Sequence, residues 1–146
     1  MSATKIRVLL IEDNPADALI TKEGLISAEM LSTLDTVGDG VEAMDFLHRR
    51  GKHADARRPD LVLLDLNMPR KGGHEVLSEM KADDRLKNIP VVVLTTSKSR
   101  EDVIKAYGLH ANCYITKPLD FDEFTTAMRT IRKFWFSVAI LPKEGR

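Results

Sequence analysis

The stretch that decides the fold is LVLLDLNMP, at residues 61–69. Its four leading aliphatic residues lack the polar alternation of a half-exposed strand, so they predict a strand buried on both faces of a parallel sheet. The run ends in Asp65, and a carboxylate at the end of a buried strand costs free energy unless a cation or hydrogen bonds satisfy it. Asp65 is therefore the first candidate functional residue.

Further short apolar runs predict the rest of the sheet. The five predicted strands are 6–11, 34–37, 61–64, 91–94 and 113–115. The segments between them carry apolar residues at helical spacing, and Asn14 followed by Pro15 is typical of a helix start. Because strands alternate with helices, the sequence predicts one α/β domain whose parallel sheet is covered on both faces.

The composition limits the classes of partner and compartment. The 146 residues contain 22 basic and 22 acidic side chains, so no net charge favours binding to nucleic acid. A lone Cys113 excludes an internal disulfide, and no apolar run approaches about 18 residues. We therefore expect a cytoplasmic protein without a membrane segment. We interpret the basic segment 48–59, HRRGKHADARRP, as a solvated loop, with a docking patch for an acidic partner surface as the alternative.

Polar side chains follow four of the predicted strands. Glu12 and Asp13 follow the first strand and Asp65 follows the third, while Thr95 follows the fourth and Lys117 comes soon after the fifth. In open parallel sheets the ligand site lies beyond the carboxyl ends of the strands. These five side chains are therefore expected to converge at one edge.

Three neighbouring acids raise one another's pKa unless a cation lies among them. Mg²⁺ fits oxygen ligands, whereas Zn²⁺ would favour histidine and cysteine, and the four histidines show no ligand spacing. A carboxylate beside Mg²⁺ can attack a phosphoryl group to form an aspartyl-phosphate. Lys117 and Thr95 would stabilise the phosphate oxygens of such a product, and the Asn67 carbonyl could bind the metal.

Four motifs resemble the receiver domains of two-component response regulators, the CheY-like family. They are IEDN at 11–14, LVLLDLNMP at 61–69, VVVLTTS at 91–97 and YITKP at 114–118. The resemblance extends over residues 5–133. It implies a flavodoxin-like (βα)5 three-layer sandwich with a five-stranded parallel sheet in the order 2-1-3-4-5.

The resemblance also implies roles in phosphorylation. Asp65 would be the phosphate acceptor, Thr95 and Lys117 would contact the phosphoryl group, and Tyr114 would be the aromatic residue that switches with Thr95. The peptide bond before Pro118 would be cis, which directs the lysine into the site.

For the metal, the resemblance implies Mg²⁺ bound by Asp13, Asp65 and the backbone carbonyl of Asn67, with Glu12 acting through water. Asn67 and Ser97 occupy the variable positions beside the acceptor and the switch threonine. They would tune how long the phosphate persists.

A narrower resemblance concerns the partner. LTTSKSREDV at 94–103, LHANCYITKP at 109–118 and FWF at 134–136 are similar to small single-domain regulators of phytochrome-type histidine kinases. Arg70 and Lys71 depart from the commoner receivers, where small or apolar residues follow the acceptor. That departure bears on partner choice rather than on chemistry.

The hypothesis is a response regulator that takes phosphate from a sensor histidine kinase and is not itself an enzyme. The first alternative is a relay shuttle that passes the phosphate to a histidine phosphotransfer protein. A remote alternative is a small Mg²⁺-dependent phosphatase of the haloacid-dehalogenase type, although Asn67 stands where that family has its second acid. A dinucleotide site at GDGVEA, residues 38–43, leaves the other site residues unexplained.

We divide the chain into a receiver domain at 1–133 and an apolar C-terminal extension at 134–146. The extension offers more apolar surface than one helical stripe can bury. Its candidate interface residues are Phe134, Trp135, Phe136 and Val138. We expect a homodimer or a downstream-target interface built with the fourth helix, fifth strand and fifth helix, the alternative being a tail folded onto its own domain. No output domain is expected, so no contact with DNA is predicted.

Overall fold

The computed structural model describes residues 6–29, 31–66, 68, 71–95, 100–116 and 120–133. Strands and helices alternate along the chain. In order they are β1 (Ile6–Ile11), α1 (Pro15–Ser27), β2 (Leu31–Val37), α2 (Gly40–Leu47), β3 (Leu61–Leu64), α3 (Gly73–Ala82), β4 (Val91–Thr95), α4 (Arg100–Gly108), β5 (Cys113–Thr116) and α5 (Phe121–Lys133). A short 3₁₀ turn, Gly51–His53, lies between α2 and β3.

The strands form one parallel sheet in the order β2-β1-β3-β4-β5, which confirms the predicted flavodoxin-like arrangement. After β1 the chain adds β2 on one side, and it then returns to add β3 on the other. The order therefore reverses between β1 and β3. Ligands of such sheets bind at this reversal, beyond the carboxyl ends of the strands.

Two buried clusters, one on each face of the sheet, form the core. Successive residues of β3 alternate between them, and Leu61, Val62, Leu63 and Leu64 are all 0% exposed. One cluster packs the sheet against α2, α3 and α4, and the other packs it against α1 and α5. This arrangement confirms that the aliphatic run is a strand buried on both faces.

The ends of the elements follow local chemistry. The Asn14 side chain accepts hydrogen bonds from the backbone N–H groups of Ala16 at 2.9 Å and Asp17 at 3.1 Å, so it caps α1 as predicted. Strand β2 begins at Leu31, three residues before the predicted start at Leu34. This edge strand carries polar residues between its apolar ones, so its apolar run understates the length that pairs with β1. Among the described helices, none is both long and apolar enough to cross a membrane.

Candidate functional site

The acidic residues are positioned by hydrogen bonds that extend the strand ladders past the ends of the strands. The backbone N–H of Asp65 donates to the carbonyl of Ile11 at 3.0 Å, and the N–H of Glu12 donates to the carbonyl of Val37 at 3.0 Å. Three adjacent strand ends are therefore held together by the backbone. That register places the backbone of Glu12 and Asp65, and the Glu12 carboxylate also accepts from the N–H of Asn14 at 3.3 Å.

The carboxylates of Glu12, Asp13 and Asp65 form a cluster in which one oxygen from each lies within 4.8 Å of the others. Glu12 is 3% exposed and Asp65 is 8% exposed, while Asp13 is open to solvent. Opposite ligands of a single Mg²⁺ ion lie about 4.2 Å apart, twice the bond length of ~2.1 Å. The set of oxygen donors and its spacing thus suit a hard divalent cation, and partial burial strengthens the attraction between the ion and the acids.

Gly73 allows the backbone to approach Asp65 closely. A Cβ at this position would lie 2.5 Å from the carbonyl oxygen of Asp65 and 2.6 Å from the Cα of Leu66. The N–H of Gly73 also donates to the carbonyl of Leu66 at 3.0 Å. The start of α3 is therefore packed directly beneath the segment that carries the central acid.

Thr95 and Tyr114 lie on the same face of the sheet. Thr95 ends β4 and is 0% exposed, and Tyr114 pairs with Val93, two residues earlier on β4. Because side chains of a strand alternate between faces, Val93 and Thr95 share the face on which Tyr114 packs against the α2, α3 and α4 cluster. The two residues predicted to switch together are therefore on one face of neighbouring strands.

Comparison with known proteins agrees with this geometry. The family model described as the response regulator receiver domain matches residues 8–129. The chain belongs to the response regulator receiver family.

Two relatives illustrate how closely this receiver resembles characterised members. It is 44% identical over 135 residues to the response regulator Rcp1 of Synechocystis sp., covering 92% of each protein. The crystal structure of the phosphorylated cyanobacterial phytochrome response regulator RcpA superposes with a TM-score of 0.87 at 46% identity, over 96% of this chain and 100% of that one. The Mn²⁺-bound form of Rcp1 superposes with a TM-score of 0.82 at 42% identity, over 94% of this chain and 99% of that one.

The structure brings together three of the predicted site residues, Glu12, Asp13 and Asp65, and it places Thr95 and Tyr114 on one face of the neighbouring strands β4 and β5. The other predicted residues lie outside the part of the chain that the structure describes. These are Asn67, Ser97, Lys117, Pro118, Phe134, Trp135, Phe136 and Val138. Their proposed roles rest on the sequence.

A groove beside the acid cluster was not predicted. It encloses about 420 Å³, and its lining includes Glu12, Asp13, Pro15 and Leu19. On α1, Leu19 is 59% exposed and its neighbour Ile20 is 46% exposed. The adjacent apolar residues Leu19 and Ile20 were the signal in the sequence, because one helical stripe cannot bury both.

Gly73 was likewise missed as a residue that positions the site. The pair of glycines at 72–73 follows the acceptor by seven residues and opens a helix. A glycine at a helix start does not disclose a close backbone contact by itself, so only the three-dimensional structure reveals its role.

Proposed function

We propose that this receiver accepts a phosphoryl group on Asp65 from the phosphohistidine of a sensor histidine kinase. The observation that carries the proposal is the convergence of Glu12, Asp13 and Asp65 to within 4.8 Å at the carboxyl edge of the sheet. Two of these acids are nearly buried, an arrangement that is costly unless a cation and a phosphate make use of it.

In the proposed reaction a carboxylate oxygen of Asp65 attacks phosphorus in line with the phosphorus–nitrogen bond of the donor. That bond breaks, its electron pair stays on the imidazole nitrogen, and the nitrogen takes a proton from solvent. The product is an aspartyl-phosphate. Hydrolysis later returns the carboxylate when water attacks phosphorus and the bond to Asp65 breaks.

Asp13, Asp65 and the backbone carbonyl of Asn67 would hold a Mg²⁺ ion, with Glu12 holding it through water. When bound, the ion neutralises charge that develops on the phosphoryl oxygens. The Lys117 ammonium and the Thr95 hydroxyl would contact the same oxygens, and Asn67 and Ser97 would limit the access of hydrolytic water.

The groove along α1 supports docking of the donor. A kinase helix that delivers a phosphohistidine must reach the acid cluster, and the exposed apolar side chain of Leu19 lines the groove beside that cluster. The similarity to RcpA, a cyanobacterial phytochrome response regulator, supports a kinase of the phytochrome type. The same surface would serve a histidine phosphotransfer protein if the receiver acts as a shuttle.

Phosphorylation would be read at the face formed by α4, β5 and α5. A movement of Thr95 toward the phosphate would leave space for Tyr114 to turn inward. Changing the population from mostly inactive to mostly active needs about 5.5 kcal/mol of differential interaction. On α4 the side chains of Ile104, 59% exposed, and Tyr107, 48% exposed, offer apolar surface for a homodimer or a target, to which the extension at 134–146 would contribute.

The decisive test is the Asp65→Asn variant, assayed for incorporation of labelled phosphate from phytochrome-type and other sensor kinases in the presence of Mg²⁺. We expect incorporation to fall below detection while the fold persists, because asparagine preserves shape and lacks the nucleophilic oxygen. Asp35→Asn is the matched control, since Asp35 is an exposed acid on the same sheet. Normal incorporation by Asp65→Asn would reject the acceptor assignment.

Two further assays separate the alternatives. Transfer of label onward to a phosphotransfer protein would identify a shuttle, whereas an increase in mass or target affinity on treatment with beryllofluoride would identify an output regulator. Multiple-turnover hydrolysis of small phosphate esters would instead place the protein among Mg²⁺-dependent phosphatases.

A further inference from the structure

A second charged site lies at the opposite edge of the sheet from the acid cluster. A cavity of about 120 Å³ is enclosed by the end of α2, the segment before β3 and the segment before β4. Four arginines and one histidine are among the residues that line it, namely His48, Arg49, Arg57, Arg58 and Arg85. The described residues of the lining include no acid.

The guanidinium groups around this cavity have few acidic partners within the described part of the chain. Within the described residues, no carboxylate lies within 4.0 Å of the guanidinium groups of Arg49, Arg57 or Arg85. The Asp83 carboxylate lies beside the cavity, where it accepts from the backbone N–H of Arg85 at 2.7 Å and is 3.9 Å from the His48 ring. Neighbouring cations differ, because Arg50 pairs with Asp45 at 3.4 Å and Lys52 pairs with Glu42 at 2.9 Å. The chain has equal numbers of acidic and basic side chains, so four arginines around one cavity are a local excess of positive charge.

The arginines are brought together by the fold and not merely by the sequence. Arg58 donates a hydrogen bond from its guanidinium to the carbonyl of Arg85, which joins two segments that are 27 residues apart. Arg49 adopts a left-handed backbone conformation, with φ of 57°, just after the end of α2. Such a conformation costs free energy for an arginine, and here it sets the direction in which the chain leaves the helix beside the cavity.

The floor of the cavity is apolar. Phe46, Leu47, Pro59 and Leu86 are all buried and contribute to the lining. Arginines around an apolar floor suit a ligand with an anionic group and a short organic portion, because guanidinium groups bind phosphate oxygens in pairs and the floor desolvates the carbon atoms. A cavity of about 120 Å³ has room for a phosphate group.

We propose that this cavity, lined by His48, Arg49, Arg57, Arg58 and Arg85, binds the phosphate group of a small phosphorylated molecule. The ligand class is inorganic phosphate or a phosphate monoester of a small metabolite. A concave site of this size favours such an anion over a broad acidic protein surface, which would meet a flatter patch. The basic segment 48–59 would thus contribute to a binding site for a phosphate group.

The test is a titration of the full chain with phosphate, followed by backbone amide NMR in the presence of a metal chelator. The probes are inorganic phosphate and glycerol 3-phosphate, each compared with chloride at the same ionic strength. We expect saturable shifts of the amide signals of residues 57, 58, 85 and 86, and no comparable shift at Asp65. Tighter binding of glycerol 3-phosphate identifies a monoester ligand, and equal affinity identifies the inorganic ion.

The variant that tests the site is Arg57→Gln/Arg85→Gln. The described side chains of Arg57 and Arg85 make no hydrogen bond within the protein, so the fold should be retained, and the affinity should fall by at least ~tenfold as charge-assisted hydrogen bonds are lost. Arg50→Gln is the matched control, because Arg50 lies in the same segment, outside the cavity. Unchanged affinity in the double variant, an equal loss in Arg50→Gln, or shifts no larger than with chloride would overturn the proposal.

Discussion

The carboxyl edge of the sheet gathers acids, and the opposite edge gathers arginines. At the acidic edge the side chains are fixed by strand ladders, since Asp65 and Glu12 both continue the backbone pairing of the sheet. At the arginine edge they are fixed by three connecting segments and by a side chain, Arg58, that binds a backbone carbonyl. Residues at strand ends are held by several backbone hydrogen bonds and can move little. Residues in connecting segments depend on individual tertiary contacts, each of which a single substitution can remove.

The largest expected effect comes from disturbing the backbone at the acidic edge. In Gly73→Ala the new Cβ would meet the carbonyl of Asp65 at 2.5 Å, so either α3 or the acceptor segment must shift. Overpacking of this kind costs about 2 kcal/mol of unfolding free energy, measured by chemical denaturation. Phosphorylation of Asp65 should slow as well, because the acceptor oxygen is displaced.

Gly108→Ala is the control for this substitution. Gly108 ends α4, and a Cβ there would meet nothing within 4 Å. Its unfolding free energy should change by no more than about 0.5 kcal/mol, with a gain favoured because alanine restricts the unfolded chain. If the two variants were equally stable, the close approach of Gly73 to Asp65 would not be what positions the acid.

The contact of Gly73 with Asp65 could not be predicted from the sequence, whereas other features of the acidic edge could. The sheet order, the buried strand at Leu61–Leu64 and the convergence of Glu12, Asp13 and Asp65 could all be predicted, because parallel strands place their carboxyl ends along one edge. Each of the three acids is located by its position just after a strand. The period of the apolar residues and the topology of the sheet are then enough to predict that the acids converge.

The arginine cavity could not be predicted in the same way. Arg49 and Arg57 were visible in a basic segment, but Arg85 lies in a different connection, and no pattern relates the three positions. The close approach of Gly73 to Asp65 and the groove along α1 could not be predicted for the same reason. All three depend on distances between elements that the period of a single element does not encode.

The second effect concerns divalent cations, which should act on one edge only. A cation that binds the native acid cluster at ten times its dissociation constant stabilises the fold by about 1.4 kcal/mol. We expect Mg²⁺ to raise the unfolding free energy by this amount, and Asp13→Asn to abolish most of the gain because it removes one of the acids of the cluster.

The arginine edge supplies the comparison for that measurement. In Arg57→Gln/Arg85→Gln the stabilisation by Mg²⁺ should equal that of the unmodified protein, since these residues lie at the far edge of the sheet. A reduced Mg²⁺ effect in this variant would mean that the two edges are energetically coupled. If Mg²⁺ stabilised Asp13→Asn as much as the unmodified protein, the assignment of the cation to the acid cluster would be wrong.

The smallest effect should come from Glu42, which joins the two edges through α2. Its carboxylate accepts from the N–H of Gly38 at 3.4 Å, near the acids, and pairs with Lys52 at 2.9 Å and His53 at 3.1 Å in the segment that leads to the arginines. The hydrogen bond from Lys52 is the main cause that lowers the pKa of Glu42, against the opposing effect of partial burial. Replacing Glu42 by glutamine should reduce the unfolding free energy by about 0.5 kcal/mol at neutral pH.

The sign of the pH dependence follows from the lowered pKa. Because folded Glu42 holds its proton less tightly than an unfolded glutamate, its contribution is complete above the unfolded pKa of about 4.3 and is lost as the pH falls through the lower folded value. The difference in unfolding free energy between Glu42→Gln and the unmodified protein should therefore vanish in acid.

His53 also contacts the ring of Phe46, with centroids 5.3 Å apart, and Phe46 lines the arginine cavity. If Glu42 positions this segment, Glu42→Gln should weaken phosphate binding at neutral pH as well; unchanged binding would show that the cavity is organised without it.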